Sequence, residues 1–274
     1  MNNMYSLSIT IPAYNEEGSI ERVAQQALKA GRAFSKNFEV LLVDDGSTDT
    51  TGVIIDRLAT KHKEIRVIHH KKNQGFSGAI KTCYRNARKE LVFLAPADGQ
   101  VDIADYKRFL DKIMTPISEA SDKIYKNAQM AGWLDGWMDK KKPSDHITIR
   151  PFSFPDVVVG YRLNSPEGWS RKVNSFLFHS LYRFLFAIPL REISTCILWR
   201  KKVLDSIEIT ASPRSAMIEP EIIYRAWKKG FAFRQVGIPY YPRTRGRAKG
   251  ANPLMILETL KEMLRLFWQV RVQG

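Results

Sequence analysis

The chain has 274 residues, 44% of them hydrophobic, which is enough for one large globular domain with a buried core. Its net charge of +15 favours anionic partners such as nucleic acid, an anionic membrane surface or phosphorylated ligands, and its two cysteines exclude a disulfide framework and favour a reducing compartment. No apolar run reaches the ~18 residues of a spanning helix and none opens the chain, so we expect neither a membrane span nor a signal peptide.

Short apolar runs alternate with helical patterns through the first hundred residues. The predicted strands cover 7–11, 39–43, 65–69 and 91–94. The predicted helices cover 18–30, 51–61 and a segment that runs from a turn at 73–78 to about residue 88. Strands that alternate with helices form βαβ units, so we expect an α/β fold with a mostly parallel sheet flanked by helices.

The alternation stops after Asp98. The later predicted elements are a helix over 103–113, a strand over 156–160, an amphipathic stretch over 171–188, a helix over 219–229, a strand over 232–238 and an amphipathic helix over 254–270. No clear strand occurs within about 114–154, which we interpret as an insertion with some helix. We therefore predict one domain over 1–251, carrying this insertion, and a C-terminal amphipathic helix within 252–274.

Three of the apolar runs stop at acidic or turn-forming residues. The motifs at these stops are Pro12-Ala13-Tyr14-Asn15-Glu16-Glu17, Val43-Asp44-Asp45-Gly46-Ser47 and Ala97-Asp98-Gly99-Gln100. Because the carboxyl ends of parallel strands share one edge, where open α/β sheets bind ligands, the series predicts a nucleotide site. Asp44 and Asp45 suit a base or a ribose, although Asp-Gly-Ser-Thr is also a good helix N-cap. Asp98 could hold a divalent cation that neutralises a diphosphate. The alternative is that Asp98 only forms a turn before Gly99.

Two groups of basic residues follow in the second half of the chain. Arg162 and Arg171 flank a loop, and two guanidinium groups near one cleft would suit a phosphate. A dense basic loop from Arg243 to Lys249 could close over a diphosphate. The alternative for both groups is a solvated surface. No zinc-finger spacing, basic zipper or aromatic RNA-binding signature accompanies them, so nucleic acid is not an expected partner.

These motifs resemble family 2 glycosyltransferases of the GT-A fold, a Rossmann-like α/β architecture. The family is indicated by Pro12 to Glu16, Val43 to Ser47 and Asn73-Gln74-Gly75. Later motifs are similar to the dolichol-phosphate mannose synthase branch, which transfers a sugar to a polyprenyl phosphate: Val158-Val159-Gly160-Tyr161-Arg162, Arg171 with Ser175, Glu221, and Pro242-Arg243-Thr244-Arg245-Gly246. The resemblance covers most of the chain outside 114–154.

The resemblance implies a role for each matching position. The residues expected to hold the nucleotide are Pro12, Tyr14, Glu16, Asp44, Asp45 and Asp98. A divalent cation, Mg²⁺ or Mn²⁺, would lie on Asp98 and Gln100. The residues expected around the acceptor phosphate are Arg162, Arg171, Ser175, Arg243 and Lys249. Catalysis would rest on Asp98, Arg162 and Arg171, because a phosphate acceptor is already an anion and needs positioning and charge stabilisation rather than a strong base.

Two departures from the family pattern bear on this expectation. The usual Asp-Ala-Asp-x-Gln reads Pro96-Ala97-Asp98-Gly99-Gln100, so the first carboxylate is replaced by proline. The segment 192–202 also lacks the usual Asp and Gly-Phe pattern of the branch. A degenerate regulatory subunit that binds nucleotide sugar or lipid is therefore one alternative. Transfer to a saccharide hydroxyl, with Glu219 or Glu221 as the base, is another.

One direct displacement by the acceptor phosphate would invert the anomeric centre. The partners that the resemblance implies are a GDP- or UDP-sugar and a dolichyl or undecaprenyl phosphate in a membrane. Two amphipathic stretches, 173–188 and 254–270, combine leucine and aromatic residues with flanking cations. Such faces suit an anionic lipid interface, so we expect a peripheral protein on the cytoplasmic face of the membrane. The alternatives are that both stretches pack on the domain, or that a membrane-spanning partner subunit docks on the final helix.

Overall fold

A computed structural model describes residues 5–117, 154–164, 169–193, 196–242 and 253–273. The strands are β1 (Leu7–Ala13), β2 (Phe38–Asp44), β3 (Ile65–His69), β4 (Leu91–Leu94), β5 (Val157–Arg162), β6 (Ile197–Arg200) and β7 (Phe233–Ile238). The helices are α1 (Ile20–Phe34), α2 (Thr51–Lys61), α3 (Phe76–Asn86), α4 (Lys107–Ile113), α5 (Trp169–Phe186), α6 (Lys201–Asp205), α7 (Ile218–Lys228) and α8 (Pro253–Gln273). A 3₁₀ turn, Ile103–Tyr106, precedes α4.

The seven strands form one sheet in the order β3-β2-β1-β4-β6-β5-β7. β6 runs antiparallel to both of its neighbours, β4 and β5, and every other pairing is parallel. The register places Ala13 opposite Asp44 and Asp44 opposite His69. The carboxyl ends of the first three strands are therefore level, and the loops that follow them meet at one edge of the sheet.

Helices cover both faces of the sheet, which explains why its central strands are almost continuously apolar. Successive residues of a strand point to opposite faces, and accordingly Leu41 and Val43 belong to one core cluster while Val40 and Leu42 belong to the other. α1 and α2 pack on the second face, whereas α7 and α8 pack on the first. The expected mostly parallel α/β sheet is confirmed.

Several element bounds differ from the sequence prediction. α1 continues four residues beyond 30 to Phe34, and α3 ends at Asn86. Periodicity did not predict β6, because a four-residue apolar run cannot be assigned to a strand without knowing its neighbours. Most of the predicted insertion, residues 118–153, lies outside the described residues.

The final helix packs on the domain through a narrow buried stripe. Met263 and Leu266 are buried, and the rings of Phe186 and Phe267 connect α5 to α8 with centroids 6.3 Å apart. Glu262 accepts hydrogen bonds from the Ser212 amide at 2.8 Å and from Ser215 Oγ at 2.9 Å. Within the described ranges, none of the helices combines the length and apolar character required to cross a bilayer.

Candidate functional site

The loops that follow β1 and β2 are joined by hydrogen bonds. Asn15 has a φ of 51°, a left-handed conformation that asparagine tolerates better than most residues. Its amide donates to Ser47 Oγ at 3.0 Å, and its side-chain oxygen accepts from the Thr48 amide at 2.8 Å. The Glu16 amide donates to Thr51 Oγ1 at 2.8 Å. The two predicted nucleotide-binding loops thus form a single surface, with Pro12, Tyr14 and Glu16 half-buried along it.

Asp44 is buried at the end of β2 and has protein partners on both carboxylate oxygens. The Ser47 amide donates to Oδ1 at 3.0 Å, and His69 Nδ1 lies 3.0 Å from Oδ2. Burial alone would raise the pKa of Asp44, but the hydrogen bonds from Ser47 and His69 outweigh it and lower the pKa. Burial would likewise lower the pKa of His69, yet hydrogen bonds to Asp56 and Asp44 raise it. The pair therefore favours the ionised carboxylate.

Asp45 organises the turn that begins α3. Its Oδ1 lies 2.6 Å from His70 Nδ1 and accepts from the Gln74 amide at 2.8 Å, while Oδ2 accepts from the Gly75 amide at 2.9 Å. Gly75 has a φ of +85°, which only glycine adopts without strain. Asp45 is 2% exposed, so its carboxylate is committed to these three contacts. The Asp45 carboxylate therefore fixes the backbone of the turn directly. If Asp45 influences nucleotide binding, it does so through the position of this turn.

The loop after β4 carries Asp98 in a half-buried position. The Gln100 amide donates to Asp98 Oδ1 at 3.0 Å, which curls the loop around the carboxylate. Gly99 between them has a φ of +69°, and a Cβ there would lie 2.1 Å from Arg22 Nη2. The Arg22 guanidinium from the first turn of α1 therefore lies against this glycine.

The segment after β7 connects the loop after β4 to the end of β5. Tyr240 OH donates to Gln100 Oε1 at 3.1 Å, and Gln100 Nε2 donates to the Tyr241 carbonyl at 3.3 Å. The guanidinium of Arg162 lies over the Tyr240 ring, 5.4 Å from its centroid. Tyr240 is thus a common neighbour of Gln100, expected on the donor side, and of Arg162, expected on the acceptor side.

Arg162 ends β5 and contacts a predicted partner and an unpredicted one. Its Nη2 donates to Ser175 Oγ on α5 at 3.0 Å, so the structure brings these two predicted residues together. Its Nε donates to both oxygens of Glu192, at 3.1 Å and 3.3 Å, and its amide also donates to Glu192. Both charged side chains are mostly buried, with 14% and 16% exposed. Glu192 therefore fixes the plane of the guanidinium.

The other predicted acceptor residues lie wholly or partly outside the described residues. The backbone of Arg171 lies in α5, but its side chain is outside the described residues, as is the loop 165–168. Arg243 and Lys249 fall within 243–250, which is also outside them.

Four residues with contacts at this edge were missed by the sequence reasoning: His69, His70, Glu192 and Tyr240. His69 is the last residue of β3 and His70 follows it, so their position at a strand end is a signal that could have been used. For Glu192 and Tyr240 the local sequence gives no comparable signal, because their partners are 30 and 140 residues away along the chain.

Neither glutamate considered as a base is exposed. Glu219 is 3% exposed and accepts a hydrogen bond from Tyr84 OH at 3.3 Å inside the core. Burial raises the pKa of Glu219 to about 7, against the effect of the Tyr84 hydrogen bond. Glu221 is 2% exposed and accepts from the amides of Thr210 and Ala211. Both carboxylates therefore have structural partners.

Comparison with known proteins identifies the family. The family model for Glycosyl transferase family 2 matches residues 8–206, well over half of the chain. A dolichyl-phosphate beta-glucosyltransferase from Mus musculus is 31% identical over 213 residues, which cover 70% of this chain and 63% of the relative. An undecaprenyl-phosphate 4-deoxy-4-formamido-L-arabinose transferase from Aeromonas hydrophila is 32% identical over 223 residues, covering 80% and 56%. The resemblance to polyprenyl-phosphate glycosyltransferases is confirmed.

The match to such relatives is partial in length. It covers 39% of one dolichyl-phosphate beta-glucosyltransferase from Trichomonas vaginalis and 49% of another from Dictyostelium discoideum. The chain therefore spans less than half the length of these two curated relatives.

Solved structures give the fold. Glucosyl-3-phosphoglycerate synthase from Mycobacterium tuberculosis, in complex with Mg²⁺ and UDP, has a TM-score of 0.61 at 15% identity, covering 96% of this chain and 80% of that one. A mannosyltransferase from Pyrobaculum calidifontis, in complex with GDP-Man and Mn²⁺, has a TM-score of 0.55 at 15% identity, covering 96% and 65%. At this identity the similarity concerns the fold, and it confirms the expected GT-A architecture. Both of those proteins hold a divalent cation together with a nucleotide.

Proposed function

Because the chain belongs to glycosyl transferase family 2, we propose that it transfers a sugar from a UDP- or GDP-sugar to a polyprenyl phosphate, with inversion at the anomeric carbon. The observation that carries this proposal is the contact between Arg162 Nη2 and Ser175 Oγ, braced by Glu192. A fixed guanidinium beside a hydroxyl suits a phosphate, because charge-assisted hydrogen bonds to phosphate oxygens are strong and directional. The names of the dolichyl- and undecaprenyl-phosphate relatives support the same acceptor class.

The donor would lie across the joined loops after β1 and β2. Pro12, Tyr14 and Glu16 lie on the first loop, and the Asp44 carboxylate, which keeps its contacts with Ser47 and His69, lies at the end of β2 opposite Ala13. Asp45 would contribute by holding the turn before α3 in place. The diphosphate would then extend toward the loop after β4, where Asp98 lies.

The side chains near Asp98 fit a divalent cation that takes most of its ligands from the donor. Within the described residues there is no cluster of three or more His, Cys, Asp or Glu that could hold a metal. Gln100 Oε1 already accepts from Tyr240, so Gln100 would share that oxygen. Mg²⁺ commonly uses one or two carboxylates together with substrate phosphates, which Asp98 and a diphosphate can supply. Bound there, the cation would neutralise charge on the leaving diphosphate.

The reaction itself requires no strong base. A phosphate oxygen of the acceptor forms a bond to the anomeric carbon while the bond from that carbon to the diphosphate oxygen breaks, and the electron pair leaves with the nucleoside diphosphate. The chain's task is to hold the acceptor in line with this bond and to stabilise charge, which positioned donors can do. Arg162, Ser175 and Arg171 would hold the acceptor phosphate, and Arg243 and Lys249 would approach from the basic loop.

Two amphipathic helices offer a surface for a membrane. The exposed apolar side chains are Phe176, Leu177 and Phe184 on α5 and Ile256, Leu257, Leu260, Leu264 and Trp268 on α8. Lys261 and Arg265 are exposed on α8 as well. We propose that this surface binds the anionic cytoplasmic leaflet peripherally, since aromatic and leucine faces with flanking cations suit such an interface. A membrane-spanning partner subunit docked on α8 is the competing proposal.

Sedimentation with liposomes distinguishes these possibilities. The wild type should bind anionic vesicles at low salt and detach as salt rises, and replacing Leu257 and Trp268 with serine should weaken binding. Val53→Ser is a matched control, because Val53 is an exposed apolar residue of α2, which packs on the opposite face of the sheet. Binding to neutral and anionic vesicles alike, or no binding in an active protein, would contradict the lipid proposal.

The proposed function is tested with a panel of UDP- and GDP-sugars, with and without Mg²⁺ or Mn²⁺, and a short polyprenyl phosphate as the acceptor. Arg162→Gln should raise the apparent KM for the acceptor roughly ten- to a hundredfold and leave nucleotide binding intact. Arg32→Gln is the control, since Arg32 pairs with Glu64 on the surface. Turnover with a saccharide hydroxyl alone, or nucleotide binding without any turnover, would instead favour one of the two alternatives.

A further inference from the structure

His179 on α5 has an unusual environment for a histidine. The residue is 8% exposed, and its Nδ1 is buried with no hydrogen-bond partner among the described residues. Most buried polar side-chain atoms in folded proteins are hydrogen-bonded, so a ring nitrogen that is enclosed without a partner decides which of the two nitrogens carries the proton. The function proposed above does not use this side chain.

Its position connects it to the acceptor side of the site. His179 follows Ser175 by one helical turn, and residues four apart are neighbours on the same helix face. Ser175 in turn accepts the hydrogen bond from Arg162. The charged groups that influence the imidazole are Glu192, Arg162 and Arg183. Arg183 also donates to the carbonyl of His179 at 3.2 Å.

We infer that His179 completes the acceptor-phosphate site by donating a hydrogen bond to an oxygen of the prenyl phosphate. This inference rests on the proposed function and adds a third donor to Arg162 and Ser175. A neutral imidazole carries one N–H. Because Nδ1 is enclosed without an acceptor, the proton is favoured on Nε2, which then is the donor.

The surroundings of His179 favour the neutral imidazole. Burial first, and then the charges of Arg162 and Arg183, lower the pKa of His179 to about 4, although Glu192 acts in the opposite direction. The ring is therefore neutral near pH 7 when the site is empty.

Isothermal titration calorimetry with farnesyl phosphate measures the affinity of each variant for the acceptor phosphate. His179→Leu should weaken binding roughly ten- to a hundredfold, since it removes a hydrogen bond to a charged group. His179→Asn, which keeps a side-chain N–H donor, should retain most of the affinity. Asn174→Ala is the control on the same helix, because Asn174 is exposed. UDP and GDP titrations report whether each variant is folded.

The outcomes separate this inference from the function on which it rests. If the wild type binds farnesyl phosphate and His179→Leu binds it equally well, the inference is wrong and the proposed function stands. Binding as weak in His179→Asn as in His179→Leu would also overturn it, because the retained N–H donor would then not restore the contact. If the wild type binds UDP or GDP but no prenyl phosphate, both the proposed acceptor and the proposed role of His179 are wrong.

Discussion

Glu219→Gln is expected to stabilise the protein at alkaline pH and to leave transfer to a prenyl phosphate unchanged. Glu219 is buried against Tyr84, whose hydroxyl also accepts from Trp199 Nε1 at 3.1 Å. A buried carboxylate without a cationic partner favours its protonated form, which is why burial raises the pKa of Glu219 from 4.5 to about 7. Glutamine retains the shape and the acceptor for Tyr84 without a charge to desolvate.

The direction in which stability changes with pH follows from the number of protons bound by the folded and the unfolded chain. The unfolded chain releases the proton of Glu219 near pH 4.5, whereas the folded chain keeps it up to about pH 7. The folded wild type therefore binds more protons than the unfolded chain in this window and loses stability as pH rises through it. The difference between the two pKa values corresponds to about 3 kcal/mol at pH above 7.

Urea unfolding at about pH 5 and about pH 8 tests the magnitude. Between these values the stability advantage of Glu219→Gln over the wild type should grow by about 2–3 kcal/mol. Glu208→Gln, at an exposed position, serves as the control. Parallel pH profiles for wild type and Glu219→Gln would refute the reasoning about burial. A folded Glu219→Gln protein that has lost all transfer would instead make Glu219 the base of a hydroxyl-acceptor enzyme.

Three further variants probe the site and the final helix. Asp45→Asn should lower the free energy of unfolding by about 1–3 kcal/mol and weaken UDP or GDP binding. The asparagine side chain cannot accept hydrogen bonds from His70 and from both backbone N–H groups, as the carboxylate does. Urea unfolding measures the first effect and calorimetry the second. Gly99→Ala should cost about 1–2 kcal/mol through its positive φ, and adding Arg22→Ala should not restore stability, since the strain lies in the backbone. Glu262→Ala should cost about 1–3 kcal/mol and increase proteolysis of α8, and unchanged protease resistance would contradict its role in docking that helix.

Much of the fold was predictable because it depends on local patterns. The period of the apolar residues identified α1 and α2, and the strand–helix alternation implied parallel pairing among β1, β2, β3 and β4. Parallel pairing then implied that Asp44, Asp45 and Asp98 lie toward one edge, because the carboxyl ends of such strands coincide. The resemblance in Pro12 to Glu16 and Val43 to Ser47 supplied the family, which the comparison confirms.

Other features depend on contacts between residues that are distant in sequence, and periodicity carries no information about them. The insertion of antiparallel β6 between β4 and β5 is one example, since a short apolar run can pair in either direction. The pairing of the two strand-end aspartates with His69 and His70 is another.

The sequence by itself therefore determined the α/β class, the edge at which acidic residues gather and the family. Only the tertiary structure decided which side chains meet there: Glu192 bracing Arg162, Tyr240 between Gln100 and Arg162, and His179 buried one turn from Ser175. The physical reason is that backbone periodicity and strand polarity are local properties of the chain. The partner of a buried polar group is chosen instead by packing, which brings together residues up to 141 positions apart, as with Gln100 and Tyr241.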